Sequence, residues 1–452
     1  MATDLDSTWV SVERGEIDRR IFSDPDIFEQ EMELIFGRAW LFLCHESQIP
    51  RPGDFFEAPM GRDNVLVVRQ RDGGIKALLN TCAHRGNAVC RAEEGNARNF
   101  MCTYHGWTYD IAGNLIGVPG LEDLYGGDLD PSRHGLAQVA QVDSHEGFVF
   151  ATMDPSAPPL PDYLGETGTL GLNLIAAQGD MEVIPGIQKF VIPCNWKFAV
   201  DNLFDWYHPQ VTHLSALQTG MLGATPPGAR LMDSGGAQTP DGREIQLPGG
   251  AVGGDVIDSI VCLDTYGHAI AGPTAEAFGA GGLFDDSWRR TERARELLGP
   301  VGSRVAGHPN IFPTLWVSST TQASLRIPRG PMETEIWWFS FVDRDLPPDQ
   351  RAMRVFAANH VFGPAGLLEQ EDGENWAQST IQTIGHRSRQ VPQLLRMNLG
   401  RGKVVRDGQS PPRIEGTTSE HAQLWTFAAW SAWMSGCGWD ELRRRTVPPE
   451  VL

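Results

Sequence analysis

No stretch of this 452-residue sequence is apolar for long enough to span a bilayer. Runs such as Val65-Leu66-Val67-Val68 and Phe148-Val149-Phe150-Ala151 fall far short of the roughly 18–20 residues a crossing needs. The first residues, Met1-Ala2-Thr3-Asp4-Leu5-Asp6-Ser7, lack a basic stretch followed by an apolar one, so no export signal is expected and the chain reads as cytoplasmic. Positive charge is in short supply. Lys and Arg number 37 against 57 Asp and Glu, a net charge of −20 that repels phosphate backbones and anionic lipid heads, so neither nucleic acid nor membrane is expected as a partner. Cysteines number only seven, an odd count that does not make a disulfide scaffold and leaves metal binding as the use to look for. No Gly-x-Gly-x-x-Gly follows a strand-like run, so no nicotinamide or flavin fold is expected, and no repeat occurs at solenoid periods.

What is present suits a chain that buries large cores in two to three domains of about 150 residues each. Residues 24–36 read as a helix, with Asp24 as its cap, Pro25 in its first turn, and Phe28, Met32, Ile35 and Phe36 on one face. From Trp40 to Met153 the segments are short and β-rich, divided by turn signals such as Arg71-Asp72-Gly73-Gly74. The Pro-rich stretch Asp154–Asp162 marks a boundary. Beyond it, strands at 188–192 and 335–342 mix with helices over about 196–208, 349–361, 369–389 and 419–434, and the Gly-rich stretch 219–256 reads as surface loops. The expected architecture is α+β. A helical segment over 1–39 packs on the catalytic domain, an all-β domain covers 40–160, and a larger α+β domain with an antiparallel sheet covers 161–452.

Two short Gly-containing loops carry the first chemical signal. Cys82-Ala83-His84-Arg85-Gly86 and Cys102-Thr103-Tyr104-His105-Gly106-Trp107 each supply one Cys and one His. A Cys₂His₂ zinc site is one reading. The mixed pairing suits a Rieske [2Fe–2S] cluster better, with two thiolates on one iron and two imidazoles on the other. Cys90 lies between the loops but outside the pattern and reads as a packed thiol.

A second signal lies in Asp205-Trp206-Tyr207-His208-Pro209 and His213. Asp205 and His208, three apart, share a helical face. His213 lies about 140° round an ideal helix from His208, so a break at Pro209 is needed to swing it back. Two imidazoles and one carboxylate form the triad of non-haem Fe(II) oxygenases, leaving positions open for O₂. The carboxylate must come from elsewhere, and Leu367-Leu368-Glu369-Gln370-Glu371-Asp372-Gly373-Glu374-Asn375-Trp376 offers Glu369, Glu371 and Asp372 as candidates.

These residues resemble the large (α) subunit of Rieske non-haem iron aromatic-ring-hydroxylating dioxygenases, in particular the group acting on toluene, biphenyl, phenylpropionate or phthalate-type compounds. The resemblance covers nearly the whole chain. It implies that Cys82, His84, Cys102 and His105 hold the cluster, and that His208, His213 and Asp372 hold mononuclear Fe(II). Asp205 would bridge His105 of one chain to His208 of its neighbour, and Asn202 would line the iron pocket. The implied reaction is cis-dihydroxylation of a small aromatic hydrocarbon or acid. Its electrons come from NADH through a ferredoxin or flavin reductase, in an α3 or α3β3 assembly with a small β subunit. Phe204, Val211, Leu217, Phe312, Phe362 and Leu368 are pocket candidates. Arg326 could hold an aromatic carboxylate but is expected at the surface. A Rieske monooxygenase or O-demethylase shares both metal sites, whereas a pure electron-transfer protein would need only the first.

Overall fold

The computed structural model describes residues 9–213, 216, 230–231, 236–238, 244–246, 257–279, 286–318 and 321–452. Most of the Gly-rich stretch 219–256, and Leu217 with it, lies outside the described residues. The contacts divide the chain into two units: the described residues up to Glu31 with Pro161–Leu452, and Met32–Leu160. The expected N-terminal helix is an α-helix over Pro25–Glu31 that continues as a π-helical turn over Met32–Phe36. The N-terminal segment therefore joins the larger unit only as far as Glu31, short of residue 39. Phe36 already packs within the smaller unit, where a Cβ on Gly61 would meet it at 3.3 Å.

The smaller unit is built from three antiparallel sheets. One has the order Ile75–Leu79, Asp63–Arg69, Asp54–Met60, Glu94–Asn96, and its first turn is the predicted Arg71–Gly74 segment. There Gly73 takes φ +89°, which its missing Cβ permits, and the Gln70 N–H donates to the Gly74 carbonyl at 2.8 Å. The second sheet joins Asn99–Met101, Thr108–Asp110 and Leu115–Gly117, and the third joins Leu41–His45, Phe148–Thr152 and Gln141–His145. The two cysteines of the loop motif are buried in one cluster with Phe55, Leu66, Leu78, Phe100, Trp107 and Tyr109.

The larger unit is organised by a ten-stranded antiparallel sheet. Its longest strand, Glu333–Asp343, pairs with Gln322–Gly330 on one side and with Met181–Val183 and Gln188–Ile192 on the other. The helix His421–Met434 is apolar all round, with every residue from His421 to Trp433 buried, as a helix inside a core must be. Two expected helices end earlier than read. The helix begun at Trp196 stops at Asp201, with a 3-10 turn over Asn202–Phe204, and the helix after Leu367 runs only to Gln382. No described helix is long and apolar enough to cross a membrane.

Candidate metal centres

In the smaller unit, the two motif loops fold in the same way. The Cys82 N–H donates to the Asn87 carbonyl and the Gly86 N–H to the Cys82 carbonyl. The Cys102 N–H donates to Trp107 and the Gly106 N–H to Cys102, all four bonds lying at 2.8–2.9 Å. Each loop closes on a glycine with positive φ, +72° at Gly86 and +73° at Gly106. Repetition of one loop places two Cys–His pairs face to face. The His84 and His105 ring centroids lie 4.5 Å apart, and His84 stacks on Trp107 at 4.9 Å.

The cysteines are buried and the histidines partly exposed, so the thiol end points into the core and the imidazole end outward. Both thiols are free. Burial opposes ionisation of Cys102, yet the Tyr104 N–H, the Asn87 amide and Cys82 draw its pKa down. The His84 Nδ1 is buried with no hydrogen-bond partner. A polar atom so placed calls for an electrophile. Among the described residues, no three of these four donors fall within 4.8 Å of one another, as one tetrahedral zinc would require. A two-iron cluster spreads its ligands more widely and fits the loops. Cys90 is only half-buried, its Sγ directed to the Ala92 carbonyl at 3.6 Å.

In the larger unit, the Asn195 side chain caps the helix Trp196–Asp201 by accepting from the Lys197 N–H. The expected break at Pro209 comes sooner. Asp205 leaves helical geometry, and its carboxylate accepts from the N–H groups of Tyr207 (2.8 Å) and His208 (3.2 Å). His208 keeps helical dihedrals, and Pro209 opens a new short helix, Pro209–Thr212, because its fixed φ suits a first helical position. His208 and His213 therefore flank one turn, and their Nε2 atoms lie 3.1 Å apart.

The acid comes from the helix Leu367–Gln382, whose buried face is Glu369, Asp372, Gly373, Trp376 and Thr380. A Cβ on Gly373 would meet Ile192 at 3.0 Å, so this helix packs tightly on the strand Gln188–Ile192. The Thr380 hydroxyl accepts from the Asn195 N–H at 2.9 Å, tying this helix to the cap of the histidine-bearing segment. Asp372 Oδ1 consequently sits 3.3 Å from His208 Nε2 and 3.2 Å from His213 Nε2. An ion about 2.1 Å from three donors at right angles separates them by about 3.0 Å. The triangle therefore fits one divalent transition metal. Among the described residues it is the one such group of three.

Charge at this centre points the same way. Burial opposes it, but His208 and His213 hold the Asp372 carboxyl well below the usual range. Burial likewise opposes protonation of His208, yet Asp205 and Asp372 raise its pKa to about 10. The site asks for a cation. The rival acids have other work: Glu371 Oε2 lies 2.9 Å from His213 Nδ1, and Glu369 faces Arg326. Asp205 Oδ2 lies 3.6 Å from His208 Nδ1, on the side where Asn202, Asp205 and His208 line an open cleft of about 550 Å³.

The pocket candidates divide. Phe362 is buried, stacked on Trp338 at 4.8 Å and edge-on to Trp316. Leu368 is partly buried one turn before Asp372, and Phe204 is buried in the 3-10 turn. Val211 is 70% exposed, and Phe312 packs on Trp433 in the core. Sequence reasoning missed His308, a half-buried imidazole whose pKa is pushed down to about 3 by the loss of solvent around its ring. Its ring meets Trp206 at 4.7 Å and Trp316 at 5.0 Å. It also placed Arg326 wrongly. The side chain is completely buried, because three tryptophan faces (Trp316, Trp338 and Trp376) receive the guanidinium.

Comparison with known proteins agrees with this geometry. Residues 39–137 match the Rieske [2Fe-2S] domain, and residues 180–396 match the ring hydroxylating alpha subunit (catalytic domain). The chain is 37% identical to the chlorobenzene dioxygenase subunit alpha of Cupriavidus sp., over 95% of this chain and 93% of that protein. It is also 37% identical to the biphenyl 2,3-dioxygenase subunit alpha of Rhodococcus jostii, over 95% and 91%. A naphthalene 1,2-dioxygenase structure with indole in the active site superposes with a TM-score of 0.83 at 29% identity, covering 98% of this chain and 97% of that one.

Proposed function

Because this chain belongs to the ring-hydroxylating dioxygenase alpha subunits and carries both their Rieske and catalytic domains, we propose that it adds both atoms of O₂ to an aromatic ring, giving a cis-dihydrodiol. The observation that carries this reading is the triangle of His208, His213 and Asp372 donors at 3.1–3.3 Å, in the same chain as the Cys–His loop pair.

Cys82, Cys102, His84 and His105 would hold the cluster, the thiolates at the buried end of the loops and the imidazoles at the exposed end. His208, His213 and Asp372 would hold the mononuclear iron, three protein donors being few enough to leave coordination open for dioxygen. When bound, the cluster supplies single electrons and the mononuclear iron activates dioxygen. The chain's own residues orient, bridge and exclude water. Glu371 accepts from His213 Nδ1–H and fixes the tautomer that presents Nε2. Asp205 faces the open cleft beside His208, where it bridges to His105 of a neighbouring alpha subunit and carries the electron path between chains. Asn202 borders the same cleft. Phe204, Phe362 and Leu368, with Trp316 and His308, form the aromatic wall.

The partners of this reading are a small β subunit in an α3β3 assembly, and a ferredoxin or flavin reductase that delivers electrons from cytoplasmic NADH. The test is NADH-driven turnover of aromatic compounds under ¹⁸O₂. A cis-diol with two labelled atoms supports the reading. One labelled atom makes the chain a monooxygenase or demethylase, and electron passage without any oxygenated product makes it a carrier.

A further inference from the structure

Asp201 ends the helix Trp196–Asp201 and has no role in the reaction above. It borders the open cleft together with Asp205, His208 and Glu420. It also borders a separate cavity of about 10 Å³, close to the room one water molecule needs, together with Lys197, Gln423 and Thr426. The side chain is half-buried and poorly furnished for an anion. Its Oδ1 is shielded from solvent and has no hydrogen-bond partner, and Oδ2 has one distant donor, the Gln393 amide at 3.4 Å. Gln423 is buried, and its Oε1 is a second shielded acceptor without a donor.

Three acids share the cleft, and their donors sort them. Asp205 accepts from the N–H groups of Tyr207 and His208 and faces the His208 ring, so it keeps its charge. Glu420 accepts from the Met397 N–H at 2.7 Å. Asp201 is the least well served. Where carboxyl groups crowd together, the one with the least solvation and the fewest donors takes the proton. A carboxylic O–H on Asp201 is also the donor that Gln423 Oε1 lacks, given directly or through a water in the small cavity. The nearby cations do not offset this. Lys197, one turn earlier on the same helix, is paired with Glu31, and Arg19 borders the cleft. The helix Leu367–Gln382 presents only the neutral Asn375, Ser379 and Gln382 beside Trp376. Burial, then Asp205 and Glu420, push the Asp201 pKa well above the carboxylate range, while Glu420 moves up less.

We propose that Asp201 is a neutral acid sharing its proton with Gln423, and that it is a positioning residue for the electron bridge formed by Asp205 and His208. Ionisation releases the proton to water in the cleft and sets a further negative charge beside Asp205. That charge favours the oxidised state of the iron His208 would hold, and so lowers its reduction potential. The role at the bridge rests on the ring-oxygenation reading, whereas the proton on Asp201 does not.

The experiment is infrared difference spectroscopy of the iron-loaded alpha-subunit assembly between neutral and alkaline pH. The wild type should lose the carbonyl stretch of a protonated carboxylic acid as pH rises, and Asp201→Asn should show no such loss. Glu420→Gln removes a neighbouring negative charge and should move the loss to lower pH, by on the order of one pH unit. That second variant decides the matter if Asp201→Asn fails to fold. The potential of the mononuclear iron, followed by EPR-monitored redox titration, should fall more steeply with pH in the wild type than in Asp201→Asn. A residue that only supports the fold would not produce that difference. A wild type without the band at neutral pH, a band that persists and titrates in Asp201→Asn, or a loss unmoved by Glu420→Gln overturns the proposal. So does a titrating band with the same slope of potential in both proteins. The predicted band and slopes without oxygenated product from any arene would sink the ring-oxygenation reading and leave the Asp201 assignment standing.

Discussion

Glu371 Oε2 lies 2.9 Å from Nδ1 of His213, so the acid next to Asp372 in the chain engages the far side of an imidazole whose near side faces Asp372. Adjacent helix positions point about 100° apart, which is why Asp372 reaches the donor triangle and Glu371 reaches behind it. Replacing Glu371 with Ala frees the ring to rotate and to take the wrong tautomer. Mononuclear-iron affinity and turnover should fall by roughly 10- to 100-fold, with the cluster spectrum unchanged. Iron titration by calorimetry reads this directly, and unchanged affinity would remove Glu371 from the site.

Tyr109 has a comparable role at the other centre. Its hydroxyl accepts from the Ala83 N–H at 3.1 Å, which leaves its proton for Cys82 Sγ at 3.2 Å. Burial pushes the phenol pKa well up, so the proton stays in place at working pH. Hydrogen bonds to cluster sulfur favour the reduced state. Tyr109→Phe should therefore lower the reduction potential measured by protein-film voltammetry, without loss of colour.

Acid stability should depend on His268. Its Nε2–H donates to the Tyr163 carbonyl at 2.7 Å and its Nδ1 accepts from the Phe312 N–H at 3.0 Å, which fixes a neutral ring. Burial pushes the pKa down from 6.5 to about 4, against the pull of Asp264. Between those values the unfolded chain binds a proton that the folded chain refuses. Stability is thus complete above the unfolded pKa and declines as pH falls toward the folded one. From pH 7 to pH 4.5, wild type should lose on the order of 2 kcal/mol more than His268→Gln, read from urea midpoints at each pH.

The N-terminal segment is anchored by an ion pair. Glu31 and Lys197 are both buried, and Glu31 also accepts from the Trp196 and Trp430 indole N–H groups. Burial lowers the Lys197 pKa even with Glu31 beside it. Glu31→Leu strands a charge and two indoles and should destabilise the chain by about 3–5 kcal/mol. Adding Lys197→Met should restore much of that loss, and a double-mutant cycle in denaturant measures the coupling.

These particulars show where sequence reasoning reaches and where it stops. The Cys–His loops were legible because a cluster needs ligands at short fixed spacings in contiguous chain. His208 and His213 were legible for the same reason, although the break between helices was read at Pro209 and occurs at Asp205. Proline starts a helix as readily as it stops one, and only the Asp205 hydrogen bonds decide which. Spacing left three acids open for the triad, since Glu369 and Asp372 share a helix face, and the fold distinguishes them by what each one meets. Arg326 was misplaced because charge argues for the surface, whereas tryptophans distant in sequence converge to enclose it.

The most direct test of two separate iron centres is an iron count on purified wild type and Asp372→Ala, taken with the visible spectrum. Three irons per chain are expected in the wild type and two in the variant, with the red-brown cluster absorbance identical in both. Two irons in each protein would contradict this, because the His208–His213–Asp372 triangle would then hold none.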